Sequence, residues 1–308
     1  MKKCLQSLID AAFSDSTKKD VCVVGENCTD VYRYVTPKKI SPEGPHMAVE
    51  ILDEVHFLGM AANVLNTIEG LSKLNKDPNN LFVSNSTVIP FIRTRYVDKK
   101  SGVHLLRTDE DPYVTSLSDR FEEKLEDEIQ SVLKNCEYVI ISDYNKGLID
   151  DKSLAVLINV ATKKGINTYI DSRKKNILEL LGKVKETPNF AKHVFVKLNE
   201  EEYLNQTQDL KEVNLIITLG KRGCKIRPGN TEEFQYVDSK FQVVPQDING
   251  AGDTFLACFA YFKERLPSLE AEEDYLNLAL LGASLGVQKE GTSSVEIEDF
   301  EKYFKETE

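Results

Sequence analysis

The sequence predicts an α/β fold: a doubly wound, mostly parallel sheet with helices on both faces and a small second sheet beside it. Three observations carry this. From residue 117 onward, strand and helix patterns alternate, the signature of a parallel sheet covered on both sides. The first strong strand, Val21 to Val24, is a continuous apolar run rather than an alternating one, as expected of a strand buried on both faces. Before residue 117, by contrast, three segments alternate apolar with polar residues and so have one wet face.

In chain order, Leu5, Leu8, Ile9, Ala12 and Phe13 fit an amphipathic helix. The opening Met1 to Leu5 resembles a signal peptide only briefly, because Asp10 interrupts a very short apolar run. The buried strand at 21–24 ends at Gly25. Val49, Ile51, Val55 and Phe57 then alternate with Glu50, Glu54 and His56 across a strand at 47–58. A helix follows at 61–74, and segments 91–98 and 104–110, joined by Lys99 to Gly102, read as a hairpin. Helix 117–134 leads to strand 138–142, helix 151–164 to strand 167–171, and an irregular helical region to strand 193–197. Strand 215–219 enters a hairpin-like region through 244, and helices at about 250–266 and 270–288 and a short terminal helix complete the pattern.

Composition narrows the partners. The chain has 308 residues, 41% hydrophobic and 29% charged, room for one large α/β domain over 1–308. Its net charge of −11 argues against nonspecific binding to nucleic acid or to an anionic membrane, so any phosphate site must be built from local amides and a few placed cations. Cysteines at 4, 22, 28, 136, 224 and 258 show no CxxC pair or metal-ligand rhythm, which favours a reducing, cytoplasmic setting. No apolar stretch approaches the roughly twenty residues of a membrane span.

The most informative stretch is DINGAGDT, residues 247–254. It precedes an apolar helical pattern, Phe255, Leu256, Phe259, Phe262 and Leu266. Gly250 and Gly252 let the chain turn tightly and bring backbone N–H groups to a helix start, an end that suits an anion. Asp253, placed beside that anion, would be repulsive unless it takes a proton from an attacking hydroxyl. The plainer alternative is an acid that complements the helix dipole, and a short glycine motif alone does not decide between them. Other strand ends add weight. Ser142 to Gly147, Asp171 to Arg173, Asn199 to Glu202 and Thr218 to Gly220 all place polar groups where open α/β sheets bind ligands.

Several nucleotide and hydrolase signatures are absent: no GxxxxGK[ST], no GxGxxG after the first strand and no GxSxG. Histidines 46, 56, 104 and 193 lack metal spacing. What remains resembles the ribokinase-like (PfkB) family of sugar kinases over nearly all of residues 20–305. DINGAGDT is close to the family's DxTGAGDT, Asn199-x-x-Glu202 to its NxxE, and Gly59 to Asn63 to its GGAAN. Within the family, the chain is most similar to bacterial heptose-7-phosphate kinases. The segments at 23–32, 40–45, 104–109, 141–147 and 291–293 carry that likeness.

The resemblance implies Asp253 as catalytic base and the amides of Gly250, Ala251 and Gly252 as the anion hole. It implies that Asn199 and Glu202 organise Mg²⁺ and phosphate largely through water, and that Thr218, Gly220, Gly223 and Asn249 border ATP. It places Asp30, Gly59, Asn63 and Asp143 on the sugar or sugar phosphate. Arg107 and Lys146 are assigned to a substrate phosphate on charge alone. Strands at about 47–58 and 91–110 would form the family's lid, which also builds homodimers, and a monovalent cation is left open. Departures accompany the match: Asn249 for Thr, Glu26 for Asp, Leu280 for an Asn near adenine, and Met60 for a glycine at a sugar-contacting turn. Met60 implies a reshaped sugar pocket. Bifunctional members carry a nucleotidyltransferase domain after the kinase; in these 308 residues the expectation is the kinase alone. Kinases of another sugar or a nucleoside, and a binding protein without catalysis, are the competing expectations.

Overall fold

The computed structural model describes residues 5–9, 12, 20–72, 81–83, 91–241, 243–266, 272–292 and 294–306. Its main sheet contains β1 (Val21–Gly25), β4 (Leu81–Val83), β7 (Tyr138–Asp143), β8 (Asn167–Ser172), β9 (Val194–Asn199), β10 (Asn214–Thr218), β11 (Cys224–Arg227) and β12 (Gln235–Val237). They lie in the order β12-β11-β10-β9-β8-β7-β1-β4. β1 pairs in parallel with both β7 and β4, so the winding direction reverses between β1 and β7. Such a reversal opens a crevice at the carboxyl ends of the strands, which is where ligands bind in this class of sheet. Pairing stays parallel through β10 and becomes antiparallel at β11 and β12.

Two apolar layers cover the sheet. On one side α1 (Ala61–Leu71), α4 (Ala251–Arg265), α5 (Glu272–Gly286) and α6 (Ile297–Glu306) pack around Phe255, Phe259, Phe262 and Phe300. On the other, α2 (Leu125–Val132) and α3 (Asp151–Lys163) pack over Val139, Ile141, Ile170 and Val196. Successive residues of one strand thus feed opposite layers, which is why these strands read as unbroken apolar runs.

The second sheet has four strands, β2 (Asn27–Ile40), β3 (Met47–Met60), β5 (Phe91–Asp98) and β6 (His104–Glu110), in the order β3-β2-β5-β6. The 99–102 hairpin turn is as expected and β3 and β6 are largely exposed, but β5 is buried or half-buried along its whole length instead of showing one wet face, because it pairs on both edges, and the second sheet is larger than the sequence pattern indicates. β2, its longest central strand, carries Asp30, Arg33, Lys38 and Lys39 among its apolar residues and shows no clean alternation. Its identity as a strand comes from pairing on both edges, antiparallel to β3 and parallel to β5. The predicted helix 117–134 is also interrupted. Leu117–Phe121 ends at Glu122, which takes φ 49°, before α2 begins. Leu5, Ile9 and Ala12 are buried as the amphipathic pattern requires, whereas Phe13 and residues 73–74 and 270–271 lie outside the described residues. The described cysteines are free thiols.

Candidate active site at the carboxyl edge of the sheet

The turn into α4 forms the floor. Gly250, at φ 76°, caps the helix in a conformation that side-chain-bearing residues rarely adopt, and a Cβ there would sit 2.8 Å from Asn63 Nδ2. Asp247 stiffens the turn by accepting from the Asn249 backbone N–H (2.9 Å) and its side-chain amide (2.7 Å). The amides of Gly250, Ala251 and Gly252 belong to the helix start, where backbone donors have no acceptor within the helix. Asp253 follows in the first turn and is 2% exposed. Its two carboxylate oxygens each accept from the Tyr144 hydroxyl at 2.9 Å. Burial, then the nearby negative charge of Asp171, push its pKa up to about 7; Tyr144, Lys197 and Arg173 oppose the rise.

Neighbouring strand ends supply those charges. Lys197 of β9 and Asp171 of β8 form a buried ion pair at 2.6 Å. The pair lies directly beneath the turn, since a Cβ on Gly252 would stand 2.9 Å from Lys197 Nζ. Burial alone would depress the Lys197 ammonium, but Asp171, Glu202 and Asp253 together raise its pKa. The Arg173 guanidinium lies 4.1 Å from the centre of the Tyr144 ring.

Between this floor and the second sheet is a cleft of about 180 Å³. It is lined by Asp30, Met60, Arg93, Arg95, Arg107, Asp109, Tyr144, Lys146, Arg173, Asn249, Gly250, Asp253 and Thr292, with Cys28. Register explains how three strands contribute so many charges: Arg93 pairs with Asp30 and Asp109, and Arg95 with Tyr32 and Arg107, so all project from one face. Asp30 is held by Arg95 on one oxygen and by the Thr292 hydroxyl (2.9 Å) on the other. Arg93 meets Asp111 at 2.5 Å, Arg107 meets Asp109 at 2.6 Å and Lys146 meets Asp111 at 2.6 Å. Asn63 is fully buried next to Gly250, and neither of its side-chain polar atoms has a hydrogen-bond partner. Such a group costs stability unless something fills the place beside it. Gly59 packs against Asp30, where a Cβ would come within 2.3 Å of Oδ2. Met60, at the turn after Gly59, takes φ 57° and ψ −138°, a glycine-like backbone carrying a long side chain into the cleft wall. Asp143 is placed differently from expectation. It is buried behind the cleft, accepting from the Ser172 hydroxyl (2.7 Å) and the Asn145 N–H (2.8 Å), so its burial serves the loop rather than an acceptor.

On the opposite side of the turn a larger pocket, about 440 Å³, is lined by Thr218, Gly220, Lys221, Gly223, Val243, Ala251, Gly252, Phe255, Leu280 and Val287 among others. Its size suits a drug-sized ligand and its wall is mostly apolar, as an aromatic base requires. Leu280 belongs to that wall, as the departure at that position implied. Asn249 does not: its side chain turns toward the smaller cleft and donates to the Tyr32 hydroxyl at 3.1 Å. Asn199 and Glu202 line a polar cleft with Arg173, Lys174 and Lys175. They also form a reciprocal capping box: Asn199 Oδ1 accepts from the Glu202 N–H and Glu202 Oε2 from the Asn199 N–H, both at 2.8 Å. With these oxygens engaged, and no group of three metal-ligating side chains among the described residues, the set fits a hydrated Mg²⁺ held through water and phosphate rather than a dry cage.

Tyr144, Tyr32, Arg93, Arg95 and Lys197 carry much of this geometry and were not singled out from the sequence as site residues. Lys197 offered a signal, a lysine inside an otherwise apolar strand. Arg93 and Arg95 offered a weaker one, two arginines two apart on a segment that reads as a strand with one wet face.

Comparison with known proteins gives the family and the fold. The description "pfkB family carbohydrate kinase" matches residues 92–299. The bifunctional protein HldE of Aliarcobacter butzleri is 26% identical over 319 residues, covering 94% of this chain and 65% of the relative. HldE of Campylobacter curvus is 27% identical over 324 residues, again 94% and 65%. The chain spans slightly less than two thirds of the length of these curated relatives. Among solved structures, Arabidopsis thaliana ribokinase complexed with ribose and ATP superposes with a TM-score of 0.65 at 14% identity, covering 94% of this chain and 99% of that one. Phosphofructokinase-2 from Escherichia coli, in complex with potassium, gives 0.66 at 18% identity with the same coverage. The fold is ribokinase-like, and the chain belongs to the pfkB family of carbohydrate kinases, a family of phosphotransferases.

Proposed function

We propose that this protein transfers the γ-phosphoryl group of ATP to a hydroxyl of a sugar phosphate, with the anomeric hydroxyl of a heptose 7-phosphate as the favoured acceptor. One observation carries the reading. The turn at 249–253 is a shared wall, with Ala251 and Gly252 facing the larger pocket and Gly250 and Asp253 the smaller, cationic cleft. A donor in one and an acceptor in the other would meet across the helix start, the geometry an in-line displacement needs.

Asp253 removes the acceptor's hydroxyl proton as that oxygen forms its bond to the γ-phosphorus; the bond to ADP breaks on the far side. The Gly250, Ala251 and Gly252 amides, backed by Lys197, stabilise the charge on the transferring group. Asn63 and Asp30 take sugar hydroxyls, since Asn63 is buried and otherwise unpartnered. Arg93, Arg107 and Lys146 reach the cleft as cations with carboxylate partners, and a substrate phosphate would compete for them; this favours a phosphorylated acceptor over a neutral sugar or a nucleoside. Mg²⁺ bound with ATP would neutralise phosphate charge beside Asn199 and Glu202. The lid bears exposed Ile51, Leu58 and Leu106 on its two edge strands, which supports a homodimer formed through the lid.

A panel of sugars, sugar phosphates and nucleosides incubated with ATP and Mg²⁺, read by ADP release, tests the reading. Heptose 7-phosphate should turn over fastest, and Asp253→Asn should lower kcat by about a hundredfold or more with ATP affinity nearly unchanged. Wild-type turnover in that variant would remove the mechanism, and sugar binding without ADP release would make the protein a binder.

A further inference from the structure

Glu26 stands immediately after β1, at the crevice where the winding reverses, and is fully buried. A buried carboxylate needs donors, and here one loop provides three: the backbone N–H groups of Tyr144 (2.8 Å), Lys146 (3.1 Å) and Leu148 (3.2 Å). Oε2 takes Tyr144 and Oε1 takes the other two. The same loop begins at Asp143, whose carboxylate holds the Asn145 N–H, and it contains Asn145 at φ 56° and Gly147 at φ 105°. It has no regular backbone ladder of its own, so its shape depends on these two carboxylates. What the loop delivers is the Tyr144 hydroxyl, placed 2.9 Å from both oxygens of Asp253 and covered by Arg173.

We propose that Glu26 and Tyr144 form a positioning device for Asp253: the Glu26 carboxylate fixes the 143–148 loop, and the loop lays the Tyr144 hydroxyl across the carboxylate of the base. The assignment rests on the reading of Asp253 as the base. Neither residue needs to touch the acceptor for this role. Tyr144 sets the direction of the carboxylate and limits how strongly it holds a proton. Burial first, then the Asp253 charge, keep the phenol protonated well beyond the working range, so it donates throughout. The groups facing Asp253 are Tyr144 from the loop after β7, Asp171 and Arg173 from the end of β8, and Lys197 from β9. Asp30 and Arg95 line the same cleft from the lid.

The test reads the base directly. Protein labelled with [¹³Cγ]aspartate is titrated by NMR, and the Asp253 signal is assigned by its loss in Asp253→Asn. Wild type should titrate near pH 7. Tyr144→Phe removes a single oxygen and should move the titration up by about one pH unit, the size expected for losing a hydrogen bond to a charged acceptor. Glu26→Gln presents an NH₂ group to one of the three amides and should move it in the same direction, whereas Glu26→Asp, which keeps the carboxylate, should stay closer to wild type. Combining Glu26→Gln with Tyr144→Phe should add nothing, because both act through one hydroxyl. The acid limb of kcat with heptose 7-phosphate should follow the same shifts. An Asp253 signal that does not move in Tyr144→Phe overturns the device. A Glu26→Gln shift that persists with phenylalanine at 144 overturns the role of Glu26, which should act only through Tyr144. Retained turnover in Asp253→Asn would instead overturn the reading of the base, so the two failures are told apart.

Discussion

Asp253 combines two properties that oppose each other in a merely structural residue. It is buried beside a second carboxylate, which raises its pKa to about 7, and it is held by a hydroxyl and two cations, which keep it ionisable. The native state therefore retains a proton that the unfolded chain releases near pH 4, and burying the charge becomes a cost as pH rises from about 4 to about 7. Asp253→Asn should accordingly stabilise the ligand-free protein. The gain is absent near pH 4, grows through pH 7 and levels off above it, at roughly 2–4 kcal/mol. Thermal denaturation of both proteins at about pH 4.5 and about pH 8 checks this; a gap largest at the acid end would contradict the sign. With Asp253 in its proposed role as base, activity should fall as pH drops through about 7, because the protonated carboxyl cannot accept a proton.

At the scale of the element, the second sheet is tied to the chemistry through β2. The Tyr32 hydroxyl donates to Asp247 at 2.5 Å and receives the Asn249 amide, while Asp30 takes Thr292. Tyr34 reaches Glu290, and Phe57 packs against Gly291 so closely that a Cβ there would lie 2.4 Å from its ring. β2 thus rests on the 247–249 turn and on the 290–292 loop together. Removing the Tyr32 hydroxyl by Tyr32→Phe should loosen this seat. The expected result is an acceptor KM raised about tenfold, equivalent to roughly 1.4 kcal/mol, with the ATP KM little changed. Steady-state kinetics with each substrate varied decides it, and equal rises in both constants would mean that the turn itself had shifted.

For the whole molecule, apolar layers on both faces of the eight-stranded sheet leave its carboxyl edge as the place where charges can collect. Within a chain of net charge −11, Arg93, Arg95, Arg107, Lys146 and Arg173 converge on one cleft. The lid's exposed apolar residues lie on its edge strands, which is where an unpaired sheet invites a partner. Wild-type protein should run as a dimer in light scattering coupled to size exclusion, and Leu58→Glu with Leu106→Glu should run as a monomer. A monomeric wild type would refute the lid contact.

Much of this was legible in local pattern. Continuous apolar runs marked the buried strands, because a strand covered on both faces has no polar side to show. The 247–254 turn was legible because a tight turn into a helix start needs glycine where φ is positive or space is short, and Asp253 follows in register. Local pattern could not show β2, whose mixed residues become a strand only when β3 and β5 pair with it. Nor could it separate the capping box that Asn199 and Glu202 form from the phosphate-side role proposed for them, since both have the same spacing. Tyr144 on Asp253, Lys197 beneath Gly252 and the arginines facing Asp30 join residues as many as 109 apart in the chain. Hydrophobic period and turn chemistry act over a few residues, so the chain by itself determined the sheet, its layers and the glycine turn before α4. Which side chains meet across the crevice was decided only by the order and register of the folded strands.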